Sequence, residues 1–127
     1  MKGPAKTFTP INVWDVALTR NTDVSIELPE GHTAMLVVLT GGLVVGGSQS
    51  AGEAEMLLLD REGSQVTVHA DADTQLLVLT GEPIDEPIVG YGPFVMNSEA
   101  EIRQAIEDFN SGRFTRHAAK ELRETRA

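Results

Sequence analysis

Apolar periodicity changes only once along this chain of 127 residues, and the change separates what can fold as sheet from what can fold as helix. Up to about residue 80 the apolar residues come in short runs rich in Val, Ile and Leu, broken by Gly, Asp, Asn and Pro. From Ser98 the spacing is different. Ile102, Ala105, Ile106 and Phe109 fall at i, i+3, i+4 and i+7, which places them on one face of a helix. Ser98 and Glu101 have the spacing of a capping box, Glu99 and Glu101 lie where the helix dipole favours anions, and Asn110-Ser111-Gly112 supplies a stop. A helix over residues 98–110 is expected, with one apolar face. Between sheet and helix lies a strap, residues 81–97. There Pro83, Pro87 and Pro93 lack a backbone donor and Gly81, Gly90 and Gly92 permit bends, so the strap is read as irregular extended chain rather than a central strand.

Seven strands are expected ahead of the strap. Ile11 to Leu18 is β-branched and aromatic, and Asp23 to Leu28 alternates with Val24, Ile26 and Leu28 on one side. Ala34 to Thr40 is apolar without alternation, which predicts a strand covered on both faces. Gly41-Gly42 then suggests a hairpin into Leu43 to Val45. Glu55 to Leu59, Gln65 to His69 and Thr74 to Leu79 complete the set, and this number of short strands indicates a sandwich or barrel. A chain of this length suits one domain, burying about two thirds of its unfolded surface. The plan is a domain over residues 1–114, with its barrel at about 8–80, then a tail over 115–127 that is either helical or disordered.

The net charge is −9, which argues against general nucleic-acid binding because phosphate contacts need a basic face. Residues 1–112 hold 5 basic and 17 acidic side chains, whereas the tail from Arg113 is basic. Cysteine is absent, so neither disulfides nor thiolate metal sites arise, in keeping with a reducing cytoplasm. No run approaches the ~18 apolar residues of a membrane span, and the first residues contain no signal-like apolar core. A soluble cytoplasmic protein is the expectation.

The stretch Gly81 to Phe114, GEPIDEPIVGYGPFVMNSEAEIRQAIEDFNSGRF, resembles the C-terminal segment of the pirin family of bicupins, where G-E-P-x-x-E-P-I, the G-P-F-V-M-N block and the E-I-x-x-A-I helix recur in order. Lys2 to Val16 is similar to that family's link from its first cupin domain into its second. The resemblance implies an all-β cupin-type jelly-roll barrel followed by the strap and one C-terminal helix. It also implies that the family's metal belongs to a first cupin domain not represented in these residues. Members of the family act as quercetinase-like dioxygenases or are linked to transcriptional co-regulation, and the latter would be a protein contact for a chain this acidic.

Cupin metal centres use converging imidazoles and a carboxylate, commonly as His-x-His with a further Glu and His. Where the first half should lie, Leu28-Pro-Glu-Gly-His-Thr-Ala-Met35 offers one histidine; Gly63 to Asp73 lacks the Pro-x-Gly and a histidine in register. His32 reads as a turn residue. His69 alternates with Asp71 and Asp73, which would place three donors on one side of an extended chain, although Asp-Ala-Asp is more simply a turn. His117 belongs to the solvated tail. These are weak metal candidates, so the expectation is no metal, no cofactor and no catalytic residue. Ser48, Ser50 and Ser64 lack a nucleophile elbow, the glycine pairs lack a phosphate-loop lysine, and Glu82, Asp85 and Glu86 sit in a strap facing water. A ligand held inside the barrel is disfavoured by strands apolar enough to fill it.

Two readings follow. The first is a stand-alone, non-catalytic assembly or protein-interaction module; the second is one part of a metal-dependent, quercetinase-like enzyme whose active site lies on a separate N-terminal cupin domain. The expected partner is a second copy in a homodimer or that metal-bearing domain. The expected interface is the strap and helix, through Ile84, Ile88, Val89, Phe94, Val95, Ile102, Ile106 and Phe109, because this is more apolar surface than one short helix can cover.

Overall fold

Alternation along the strands decides which side chains meet. In the computed structural model, which describes residues 2–115, the chain forms two units divided between Ile84 and Asp85. The first holds β1 (Ile11–Leu18), β2 (Thr22–Glu27), β3 (Thr33–Thr40), β4 (Gly42–Val45), β5 (Gln49–Gly52), β6 (Met56–Leu58), β7 (Gln65–Ala70) and β8 (Thr74–Gly81). They pair antiparallel in two four-stranded sheets, ordered β1-β8-β3-β6 and β2-β7-β4-β5. The two sheets make a cupin jelly roll that hydrogen bonds do not close into a full barrel. Leu18, Leu36, Val38, Leu43, Val68, Leu76 and Val78 come from both sheets into one core, and Trp14, Val24, Ile26, Leu57 and Val66 pack around it.

Gly41 makes the change of sheet possible. Its φ is +88°, a left-handed conformation natural only to glycine, and its backbone runs against Asp73 and Thr74. Buried Thr74 holds the crossing. Its hydroxyl accepts from the Gly42 amide at 3.1 Å and lies within hydrogen-bond reach of the Gly42 and Ala72 carbonyls, at 3.0 and 2.8 Å.

The second unit contains β9 (Val89–Tyr91), β10 (Phe94–Met96) and α1 (Glu99–Asn110), with α1 lying against both strands. Ser98 caps the helix as its spacing predicts, accepting from the Glu101 amide at 3.3 Å and donating to the Glu101 carboxylate at 3.1 Å. Such a cap contributes about 1 kcal/mol. Ser111 ends the helix and Gly112, at φ +70°, turns the chain away. Phe94, Phe109 and Phe114 then stack edge to face, with centroids 5.8–6.3 Å apart.

Four expectations need correction. Gly41-Gly42 is not a hairpin turn: β3 and β4 lie in different sheets, because β8, arriving from far along the chain, takes the place beside β3. The polar segment Gln49–Gly52 forms a strand that apolar patterning could not reveal. The strap is not irregular throughout, since Gly92-Pro93 turns Val89–Tyr91 onto Phe94–Met96 as a short hairpin. The unalternating run in β3 is covered on one face only. Ala34, Leu36 and Val38 are buried, Met35 and Val37 are half-buried on the other side, and Leu39 is exposed. The expectation for the tail concerns mainly residues 116–127, which lie outside the described residues.

Candidate functional site

Three places could carry function: the interior of the jelly roll, the strap and helix, and the outer face of the β1-β8-β3-β6 sheet. The interior is filled. Leu36, Val38, Leu43, Val68, Leu76 and Val78 have no exposed surface, leaving no room for a ligand or a coordination sphere among them. His32, His69 and Asp73 lie apart from one another and each has a hydrogen-bond partner of its own. His32 is half-buried, with Nδ1 3.4 Å from the Thr80 hydroxyl, which accepts from the Asn12 side-chain amide at 3.0 Å. His69 is out of phase with Val66, Val68 and Ala70 and so stands on the outer face of its sheet, opposite Asp23 on β2. Its Nδ1 is 2.8 Å from the Asp23 carboxylate, an exposed cross-strand pair worth less than about 1 kcal/mol.

Asp73 does not join His69. Its carboxylate accepts from the Arg20 amide at 2.8 Å, fastening the β7-β8 turn to the β1-β2 turn. The Asp71 carboxylate lies against the Gly42 backbone where a β-carbon would otherwise fall. No group of three His, Asp or Glu side chains among the described residues is placed to hold a metal ion. A cupin metal centre needs imidazoles converging inside the roll, and the described residues of this chain do not fit one.

The strap and helix divide by exposure. Ile84, Ile88, Val95 and Phe109 are exposed; Val89, Phe94 and Ile106 are half-buried, and Ile102 is buried. Val89, Ile102 and Ile106 line a groove beside Tyr91 and Arg103 within the second unit. Part of the apolar surface read as interface is therefore used inside this unit, where Ile102 is buried and Phe94 packs against Phe109 and Phe114.

The outer sheet face was not anticipated from the sequence. Its register places Val13 opposite Leu79, Leu79 opposite Met35 and Met35 opposite Leu58, so one apolar row crosses all four strands. Leu77, Val37 and Met56 form a second row beside it. Val13, Met56 and Leu58 are 59–69% exposed, and Ile11, Val13, Met35 and Leu79 line a shallow depression on this face. The signal was present in the runs that fail to alternate, Ala34 to Leu39 and Leu76 to Leu79, whose second apolar side implies a cover.

Comparison with known proteins places these features in a family. Residues 13–115 match the family model described as the pirin C-terminal cupin domain. A Pseudomonas aeruginosa protein named "Putative quercetin 2,3-dioxygenase" is 54% identical over 115 residues, a match covering 91% of this chain and 40% of that protein. Pirin-1 of Arabidopsis thaliana is 35% identical, with 89% of this chain and 41% of that protein covered. Among solved structures, a quercetin 2,3-dioxygenase from Acinetobacter baumannii is 49% identical with a TM-score of 0.83, and the match covers 90% of this chain and 40% of that one. The chain thus spans about 40% of the length of these relatives.

Proposed function

The chain belongs to the pirin family, as its C-terminal cupin domain, and from that premise we propose that it is a non-catalytic assembly module, active in the cytoplasm, that works by protein contact. The observation that carries this reading is the filled interior. The core holds Leu36, Val38, Val68, Leu76 and Val78, and His32 and His69 lie apart, against Thr80 and Asp23. Surfaces that invite contact lie outside it, on the exposed strap residues Ile84, Ile88 and Val95 and on Phe109 of the helix. The partner is a second copy of the chain or a separate metal-bearing cupin domain.

A second reading is favoured by the names of the relatives. In it the chain is the supporting part of a quercetinase-like dioxygenase whose metal and substrate sit on another cupin domain. Both readings give the same result for the chain alone. With quercetin and added Fe(II) or Ni(II), oxygen consumption is expected to stay at the metal-only blank, because no ligand set holds a Lewis acid against the flavonol oxygen. Oxygen-electrode traces decide it. Turnover above the blank that disappears in His32→Ala or His69→Ala would overturn the assignment of a non-catalytic role. Restoration of turnover only when a metal-bearing cupin domain is added would favour the second reading over the first.

A further inference from the structure

We propose that Phe94 and Phe109, with the carboxylates of Glu107 and Asp108 beside them, form a seat for an arginine-aromatic segment of a partner protein, and that the chain's own Arg113 and Phe114 occupy it as a releasable latch. The inference rests on the assembly reading and deepens it, because Phe109 belongs to the surface assigned there to contact.

The chemistry of the occupant follows from what sits in the seat. The Phe114 ring lies edge to face against Phe94 and Phe109, with centroids 5.8 and 6.3 Å away, and those two rings are 6.2 Å apart. Rings favour this arrangement because the edge of one is positive and the face of the next negative. Beside them the Arg113 guanidinium stands 3.8 Å from the Glu107 carboxylate and 3.7 Å from that of Asp108. α1 has no base in its last turn, so the negative end of its dipole adds to these carboxylates and favours a cation supplied from beyond the helix. A cation followed by an aromatic ring is what this seat selects.

The occupant is also held weakly. The helix ends in a common way: Gly112 turns left-handed, and the Arg113 amide donates to the Asp108 carbonyl at 2.8 Å. Phe114 lies one residue past that ending. Its amide shares the same carbonyl at 3.1 Å, and the residue remains 48% exposed. Both ion pairs are long and open to water, so they contribute little and salt weakens them. No atom lies within 4 Å of the point where a β-carbon on Gly112 would fall, which leaves room for the chain to pivot there. Lifting Phe114 uncovers the rings of Phe94 and Phe109 without undoing the helix. A partner segment of the same chemistry then takes its place.

The test uses the full chain, with the capped tripeptide acetyl-Gly-Arg-Phe-amide as probe and nuclear magnetic resonance as readout. In Phe114→Ala the peptide is expected to shift the ring signals of Phe94 and Phe109 saturably. The wild type should bind it at least about tenfold more weakly, because its own segment competes at the high local concentration of a short tether. Acetyl-Gly-Glu-Phe-amide should bind Phe114→Ala less well than the arginine peptide. Amide exchange in the wild type gives a readout free of any variant. The Phe114 amide should exchange at least about tenfold faster than that of Ile106, inside the helix, and faster still at high salt. Equal protection of the two amides would overturn the latch, as would loss of Ile106 protection in Phe114→Ala, which would make Phe114 a fixed part of the unit's core. A Phe114→Ala chain that keeps Ile106 protected but ignores the peptide would overturn the seat. Each of these results leaves the assembly reading standing on Ile84, Ile88 and Val95, whereas turnover by the chain alone would remove that reading and leave the peptide result intact.

Discussion

Gly41→Ala is expected to destabilise the chain by about 3 kcal/mol or more, a substantial part of the 5–15 kcal/mol typical of a domain. Two costs combine. A left-handed φ costs an L-residue about 1–2 kcal/mol, and overpacking adds about 1–3 kcal/mol. The new methyl would collide with the carbonyl oxygen of Asp73 and lie 2.8 Å from the α-carbon of Thr74. Those are backbone atoms, held by the hydrogen bonds of the sheet crossing, and they cannot turn aside. Two neighbours separate the terms. At Gly46, φ is +59° but a methyl would meet open space, so Gly46→Ala should cost only about 1 kcal/mol. At Gly42 the obstacle is the movable carboxylate of Asp71, and Gly42→Ala should cost about as little as Gly46→Ala. Urea unfolding of the three variants checks the order. A Gly41→Ala midpoint no lower than that of Gly46→Ala would show that the crossing is not as tight as described.

Leu36→Ala should cost about 2–5 kcal/mol, and Met35→Ala, one residue earlier on the same strand, less than about 1 kcal/mol in dilute solution. Leu36 has no exposed surface and is enclosed by the core, so truncation leaves a cavity that a rigid sandwich fills poorly. Met35 faces outward and is half-buried by its neighbours, so truncation leaves no cavity. Thermal unfolding at low micromolar concentration measures the difference. Equal losses at both positions would mean that the outer face is already covered within one chain.

How far these features could be read in advance depended on how local their causes are. The helix was legible: Ser98, Glu101 and the Ile102-Ala105-Ile106 spacing act within a few residues of one another, and the Ser98 half of the capping box forms, with the Glu101 carboxylate on the Ser98 hydroxyl. The alternating strand at Val24 and Ile26 was legible for the same reason. Sheet membership was not. Gly41-Gly42 has the composition of a turn, and only the arrival of β8 beside β3 makes it a crossing between sheets. Gln49–Gly52 is a strand because β4 offers an edge to pair with, not because its own residues favour one.

The candidate surfaces show the same limit. The spacing of His32 and His69 suggested no shared site, and the structure sets one against Thr80 and the other against Asp23. The apolar row Val13-Leu79-Met35-Leu58 joins residues from four strands, and no local pattern announces it. What the sequence did carry was the missing alternation in Ala34 to Leu39, a demand for two covers of which the first unit provides one.

A domain that works by contact, as proposed, should hold no metal of its own. Elemental analysis of the purified full chain, loaded with Fe(II), Ni(II), Cu(II) and Zn(II) in turn and then washed with a chelator, tests it most directly. Only trace metal is expected in every case, because His32, His69, Asp71 and Asp73 do not converge. Near-stoichiometric metal surviving the wash, and lost in His69→Ala or His32→Ala, would contradict it.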